Sequence, residues 1–265
     1  GTLRKSAGAG TNAIDSHLAF INAGAIELQQ GGLAFPNGFT STGTFSLAAD
    51  TVVNLDGGTF SFGASSLKTG AGQLLVDAGD VTLKGTVPGL NWTGGRLVGS
   101  DFTVAANAVM AISGPADKAF TRTAINNAGT IVWTGAGRLM GAIDSYNQSL
   151  LIANLPGGLF DIQTDSSLGY SDGGYGFISY QFLNAGTLRK SASAGTNAFA
   201  AQCTVVNSGR IELPTGALRI NAAFIQTTSG TLALQNLSPL TPTVRLWVGA
   251  AATLEGGLEV SVLPN

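Results

Sequence analysis

The chain has 265 residues, of which 44% are apolar and only 11% charged, a balance too hydrophobic for a disordered segment. Its net charge is −2 and its 13 basic residues are scattered, which argues against nucleic acid as a partner, because phosphate recognition needs a clustered cationic surface. No apolar run approaches the length of a membrane-spanning helix, no signal peptide is recognisable, and the 38 glycines, about twice the usual share, follow neither a collagen period nor a linker pattern.

The glycines belong instead to a recurring phrase: Gly, any residue, an apolar residue, any residue, an apolar residue. It reads GTLRK at Gly1, GAIEL at Gly24, GTFSL at Gly43, GTFSF at Gly58, GQLLV at Gly72 and GRLVG at Gly95. It continues as GTIVW at Gly129, GLFDI at Gly158, GTLRK at Gly186, GRIEL at Gly209, GTLAL at Gly230 and GGLEV at Gly256. Alternation of this kind marks a strand with one buried face. It predicts that Leu3, Ile26, Phe45, Phe60, Leu74, Ile131, Phe160, Leu188, Ile211 and Leu232 point inward. Arg4, Glu27, Ser46, Ser61, Val132, Asp161, Arg189, Glu212 and Ala233 are predicted to point out. Asp15–Phe20 is the one short stretch with helical spacing.

Gly186–Leu213 restates Gly1–Leu28 at a constant offset and without a gap, with Arg4, Asn12 and Glu27 recurring as Arg189, Asn197 and Glu212. Strands this short cannot stand alone and must stack. Asn-Gly and Asp-Gly hairpin turns are scarce, so a solenoid fits better than a sandwich. The prediction is an all-β, right-handed parallel β-helix of roughly ten to twelve coils, at about 20–25 residues each, forming one domain over 1–265. The chain opens without the Asn-Ala that precedes Gly186, as expected of a fragment of a larger secreted protein.

One coil apart, Arg4 faces Glu27 and Arg189 faces Glu212, giving outward ion pairs of about 0.2–1 kcal/mol each. Lys5 and Lys190 fall at nominally inward positions; each is expected to leave at a corner with its stem packed, the alternative being a buried pair with a carboxylate. From Gly43 through Gly58 to Gly72 the phrase recurs too quickly for a full coil each time, which suggests two sides of one coil. The intervals that follow Gly95, Gly129 and Gly158 are the longest in the chain, predicting the longest loops there. Those intervals hold Phe102, Tyr146, Tyr170, Tyr175, Phe177 and Tyr180, and insertions of a solenoid commonly form its binding face.

The wording NNAGTIVWTGAGRL at Asn126–Leu139, GGLFDIQTDSSL at Gly157–Leu168 and FLNAGTLRKSASAGT at Phe182–Thr196 resembles the repeats of secreted bacterial adhesin-like and autotransporter-like β-helix proteins. FIQTTSGTLAL at Phe224–Leu234 and LWVGAAATLEGGLEVSVLPN at Leu246–Asn265 look like the closing coils of such regions. A fainter resemblance is to β-helix carbohydrate-binding modules attached to polysaccharide-degrading enzymes such as xylanases. These resemblances imply a secreted or cell-surface location and a covalently linked catalytic or anchoring domain.

Catalytic constellations are thin. The carboxylates are mostly isolated, and Asp161, Asp165 and Asp172, the densest group, read as turn and solvated residues, with a bound Ca²⁺ the less favoured reading. His17 is the only histidine and reads as a solvated corner; Cys203, the only cysteine, reads as a small buried hydrophobe. Leu75, Val98 and Val132 suggest an outward apolar stripe. Trp133 is expected in the core, Trp247 in the core or at an end, and Trp92 on a turn near solvent. Sugar rings pack their C–H faces on aromatic rings while their hydroxyls need short polar groups. Trp92, Tyr146, Tyr170, Asp172, Tyr175 and Tyr180 are therefore the candidate carbohydrate-binding residues. The expected function is non-catalytic binding of an extracellular polysaccharide, of plant cell-wall type such as xylan, without a cofactor and without membrane insertion. A structural or adhesin stalk is the alternative, and a lyase or hydrolase a third.

Overall fold

A computed structural model describes residues 1–143, 150–171, 180–237 and 245–262. Among them there is no helix; the chain is a β-solenoid of about ten turns built from parallel strand pairs. Asp15–Phe20 is a turn rather than a helix. Most coils contribute a strand to each of three sides, and most strands pair in register with their counterparts one coil below and one above. On the long, twelve-stranded sheet, Ile131, Phe160, Leu188, Ile211, Leu232 and Leu258 form one such column.

The phrase explains itself in this stack. Its apolar positions form the continuous core, where burying one large aliphatic or aromatic side chain contributes about 1.5–3 kcal/mol. All the predicted inward residues are buried except Leu3, which is half exposed on the first strand. The leading glycine sits at a corner where coils approach backbone to backbone. A Cβ on Gly186 would collide with the carbonyl oxygen of Gly158, and one on Gly209 with that of Gly186.

On the outer row, Arg4 pairs with Glu27 and Arg189 with Glu212, each Nε to Oε2 at 2.6 Å, as expected. Two nominally outward residues are buried. Ala233 lies between Glu212 and Glu259, and Arg210, bonded to both, bridges over it. Asp161 is buried beside Gln163, whose Nε2 donates to its Oδ2 at 2.7 Å. The apolar stripe does not form. Leu75 and Val132 share the long sheet, separated by Asn91 and Ala111, whereas Val98 lies on another side, paired with Thr121.

The sides are not continuous from end to end. A short four-stranded sheet, Thr2–Lys5, Ala25–Leu28, Thr44–Leu47 and Leu67–Thr69, stops at its fourth strand. There the coil contracts: the step along the chain from Leu75 to its partner Asn91 is about two thirds of the step from Leu188 to Ile211 on the same sheet. The long strand Asp80–Val87 makes the adjustment. It pairs below with Gly58–Phe62, and above with both Arg96–Val98 and Asp101–Val104. From these two strands rise the second and third sides of the upper coils. The three closely spaced phrases at Gly43, Gly58 and Gly72 accordingly fall on three different sheets. The wide interval after Gly95 is likewise no long loop. GRLVG lies on the second side and GTIVW on the long sheet, and Phe102 between them is a buried strand residue.

A buried amide ladder climbs the corner between the third side and the long sheet. Asn127 donates to Asn154 Oδ1, Asn154 to Asn184 and Asn184 to Asn207, each at 2.8 Å, and Asn207 donates to Gln226 at 3.4 Å. Each asparagine Nδ2 also reaches a backbone carbonyl of the coil above, as Asn184 does at Arg210 O, 3.0 Å. Corner carbonyls that the strand ladders leave over are satisfied in this way.

Candidate binding groove

Of the candidate carbohydrate-binding residues, Trp92 is corrected first. It is 0% exposed on the long sheet, in the inner column between Val76 and Ile112, with Trp133 one coil further. The turn-like sequence GLNWTGG hides a short strand, Leu90–Trp92, whose alternation puts the indole inside. Tyr180 is buried too, its hydroxyl donating to Gly169 O at 2.8 Å, so its ring offers no face to a ligand. Tyr170 is half buried and stacks on Tyr180, with centroids 6.4 Å apart and an interplanar angle of 14°. Tyr146, Asp172 and Tyr175, with Phe177, lie outside the described residues. Among those described, Trp92 lies in the core of the long sheet and the two tyrosines pack on each other, so the predicted set does not assemble a surface.

A different surface is built on the second side, from the strands Leu139–Ala142, Leu168–Ser171, Thr196–Phe199, Ala217–Ile220 and Leu246–Val248. Two depressions, of about 460 and 440 Å³, share Thr196 and form one groove running along the solenoid axis. Ser167, Ala198 and Ala217 line it, small residues at which the parallel strands leave little side-chain bulk. Four coil steps of about 4.8 Å make it about 19 Å long.

Charge is concentrated at its borders. At one end Arg138 grips Asp117 in a fork, Nε and Nη2 at 2.9 and 2.6 Å from Oδ2. In the middle, Asp165 accepts from Lys190 Nζ at 2.8 Å, from Gly195 N at 3.2 Å and from the Ser193 hydroxyl. The hydrogen bonds from Arg138 hold the Asp117 carboxyl below the usual carboxylate range. Burial works against ionising Asp165, yet its bonds from Lys190 and Ser193 prevail and hold it low as well. Both carboxyls therefore rest ionised near neutrality, each already engaged by a cation, and do not form the protonated acid and free base of a hydrolytic pair.

At the far end Trp247 is 45% exposed, with the Arg219 guanidinium carbon 3.5 Å from its ring centroid. Arg219 is oriented in turn by Asn221 Oδ1 at 2.8 Å. The sequence reading missed this residue. The signal was present, because Leu246 and Val248 take the inward positions of LWV and leave the indole outside.

Lys190 takes the alternative anticipated for it: it is 1% exposed, pointing inward beneath the long sheet and meeting Asp165 and Asn197. Its counterpart Lys5 is half exposed and reaches only Asn12 among the described residues, at 2.5 Å. Cys203 is buried, and burial pushes its thiol far up. His17 is exposed beside Asp15, at 2.9 Å. Asp161 and Asp165 belong to no group of three or more metal-ligating side chains among the described residues. No protein-family model, curated protein or solved structure matches the chain, so the groove is read from its own chemistry.

Proposed function

We propose that the chain is a non-catalytic module that binds an extended extracellular polysaccharide along this groove, on a secreted or cell-surface protein. One observation carries the reading: an exposed indole and its stacked arginine close a shallow, mostly apolar groove of about 19 Å along which Ser166, Ser167 and Thr196 place hydroxyls. A sugar ring can pack on the Trp247 ring, while Arg219, Thr196, Ser166 and Ser167 meet hydroxyls along the chain. The coil spacing is close to the length of one pyranose unit in an extended glycan, so successive coils can address successive sugars. Engagement of Asp117 by Arg138 and of Asp165 by Lys190 supports binding over hydrolysis, which needs a free pair of carboxyls.

Native affinity electrophoresis against xylans, glucans, mannans and pectins tests the reading. Retardation by one polymer class, xylans foremost, is expected, and it is expected to be lost in Trp247→Ala. Absence of retardation by every polymer overturns it. A second reading, a rigid stalk that provides length, is favoured by the buried amide ladder and would then stand.

A further inference from the structure

We propose that Lys190 and Asn197 are joined by an autocatalytic isopeptide bond, with Asp165 as the acid–base group. Lys190 lies at the end of its strand on the long sheet and Asn197 near the start of the next strand on the second side, across one corner. Both side chains are inside the stack, at 1% and 0% exposure. Nζ lies 2.7 Å from Asn197 Oδ1, which puts it beside the Cγ carbon that carries that oxygen. Asp165 comes from the same corner one coil below, with Oδ1 2.8 Å from Nζ. The amide Nδ2 of Asn197 is held by the carbonyl of Ser166 at 2.5 Å, which fixes the plane of the carboxamide.

Three requirements for amide exchange meet here: an amine kept from water, an amide fixed against it, and a carboxyl touching the amine. One proton passes from the Lys190 ammonium to Asp165, leaving a neutral amine and a neutral acid. The nitrogen lone pair adds to Cγ of Asn197, and the acid protonates the oxygen of the resulting tetrahedral centre. Collapse breaks the Cγ–Nδ2 bond and expels Nδ2 as ammonia, which leaves with the displaced protons as ammonium. The balance is one ammonium and one carboxamide in, one secondary amide and one ammonium out, with no oxidant or cofactor. The groove beside Asp165 gives the ammonia a way out.

The repeated phrase supplies an internal comparison. Lys5 and Asn12 make the same contact, at 2.5 Å, yet Asn12 is exposed and, among the described residues, no carboxylate meets Lys5. With no acid–base group in reach and the amide open to water, the first copy stays unjoined.

Intact-mass measurement on the folded chain, followed by tryptic mapping, tests the proposal. The protein is expected to be lighter than its sequence mass by one ammonia. Trypsin is expected to cleave after Lys5 but not after Lys190. It then releases Lys190–Arg210 as one peptide, lighter by one ammonia, with no fragment ions between positions 190 and 197. That pattern separates the bond from a succinimide at Asn197, which leaves cleavage after Lys190 intact. Asp165→Ala is expected to restore the full mass and that cleavage. Full sequence mass and free Ser191–Arg210 in the unaltered protein overturn the bond. Persistence of the mass loss in Asp165→Ala overturns the part assigned to Asp165.

Discussion

Leu3 and Leu188 hold the same place in the repeated phrase but stand on different sheets. Leu3 pairs with Ile26 in the short sheet and Leu188 with Ile211 in the long one. Between them lies the contracted coil in which Leu75 meets Asn91, so the phrase enters the upper stack one side later. Each copy keeps its local order of strand, corner and strand, and with it the Arg–Glu pair one coil on.

Trp247 is the residue on which polysaccharide affinity should turn. Trp247→Ala is expected to weaken binding at least about tenfold, the equivalent of about 1.4 kcal/mol. It should move the unfolding midpoint little, because the ring is exposed. Affinity electrophoresis and thermal unfolding of the same variant check both halves.

Asn184 is the ladder rung that stability should reveal. Its removal leaves Asn154 Nδ2 and Arg210 O each without a bond they now make, in a corner closed to water. Asn184→Ala is expected to cost about 3 kcal/mol, at the upper end for a buried unsatisfied group. Urea unfolding followed by circular dichroism gives the number, and a loss below about 0.5 kcal/mol would contradict the ladder's role.

Acid should remove what Glu212 contributes. Burial raises its carboxyl, but the bonds from Arg210 and Arg189 outweigh this and hold it below the ordinary value. A carboxylate whose pKa is depressed on folding stabilises above its unfolded pKa, and the contribution fades as pH falls through the folded one. With both arginines partly exposed, the contribution is about 1 kcal/mol at most. Glu212→Gln should lower the melting temperature at pH 7, and the difference from the unaltered chain should shrink in acid, at a pH well below the ordinary glutamate range. An equal gap at both pH values would refute the linkage.

Cys203 should be silent in the folded state. Its thiol is buried and its burial disfavours the thiolate, which is the form that reacts. A water-soluble maleimide is expected to label it only as the chain unfolds, in step with loss of the circular dichroism signal. Rapid labelling under native conditions would contradict the interior position.

Much of this architecture was legible residue by residue. Alternation placed Ile131, Leu188 and Ile211 inside and Arg189 and Glu212 outside, because side chains of an extended strand must take opposite faces in turn. The interval between phrases was the weaker guide. It took the stretch after Gly95 for a long loop, when one phrase had moved to another side and Phe102 sat in a strand between. Trp92 was misread for a related reason: flanking glycines and asparagine look like a turn, and only its pairing with Val76 and Ile112 makes it core. Trp247, outward by the same alternation, was available to a stricter reading of LWV.

By itself the sequence determined that short parallel strands stack, which positions turn inward, and that opposite charges meet one coil apart. Those properties depend on near neighbours along the chain or on a phrase that repeats in step. The tertiary structure alone decided which sheet each phrase joins, that Lys190 is enclosed with Asn197 and reaches Asp165 at the surface, and that Arg219 lies over Trp247 beside a groove. The number of residues spent at every earlier corner accumulates into the position of each strand around the axis. One shortened coil therefore redirects all that follow, while every local pattern stays unchanged.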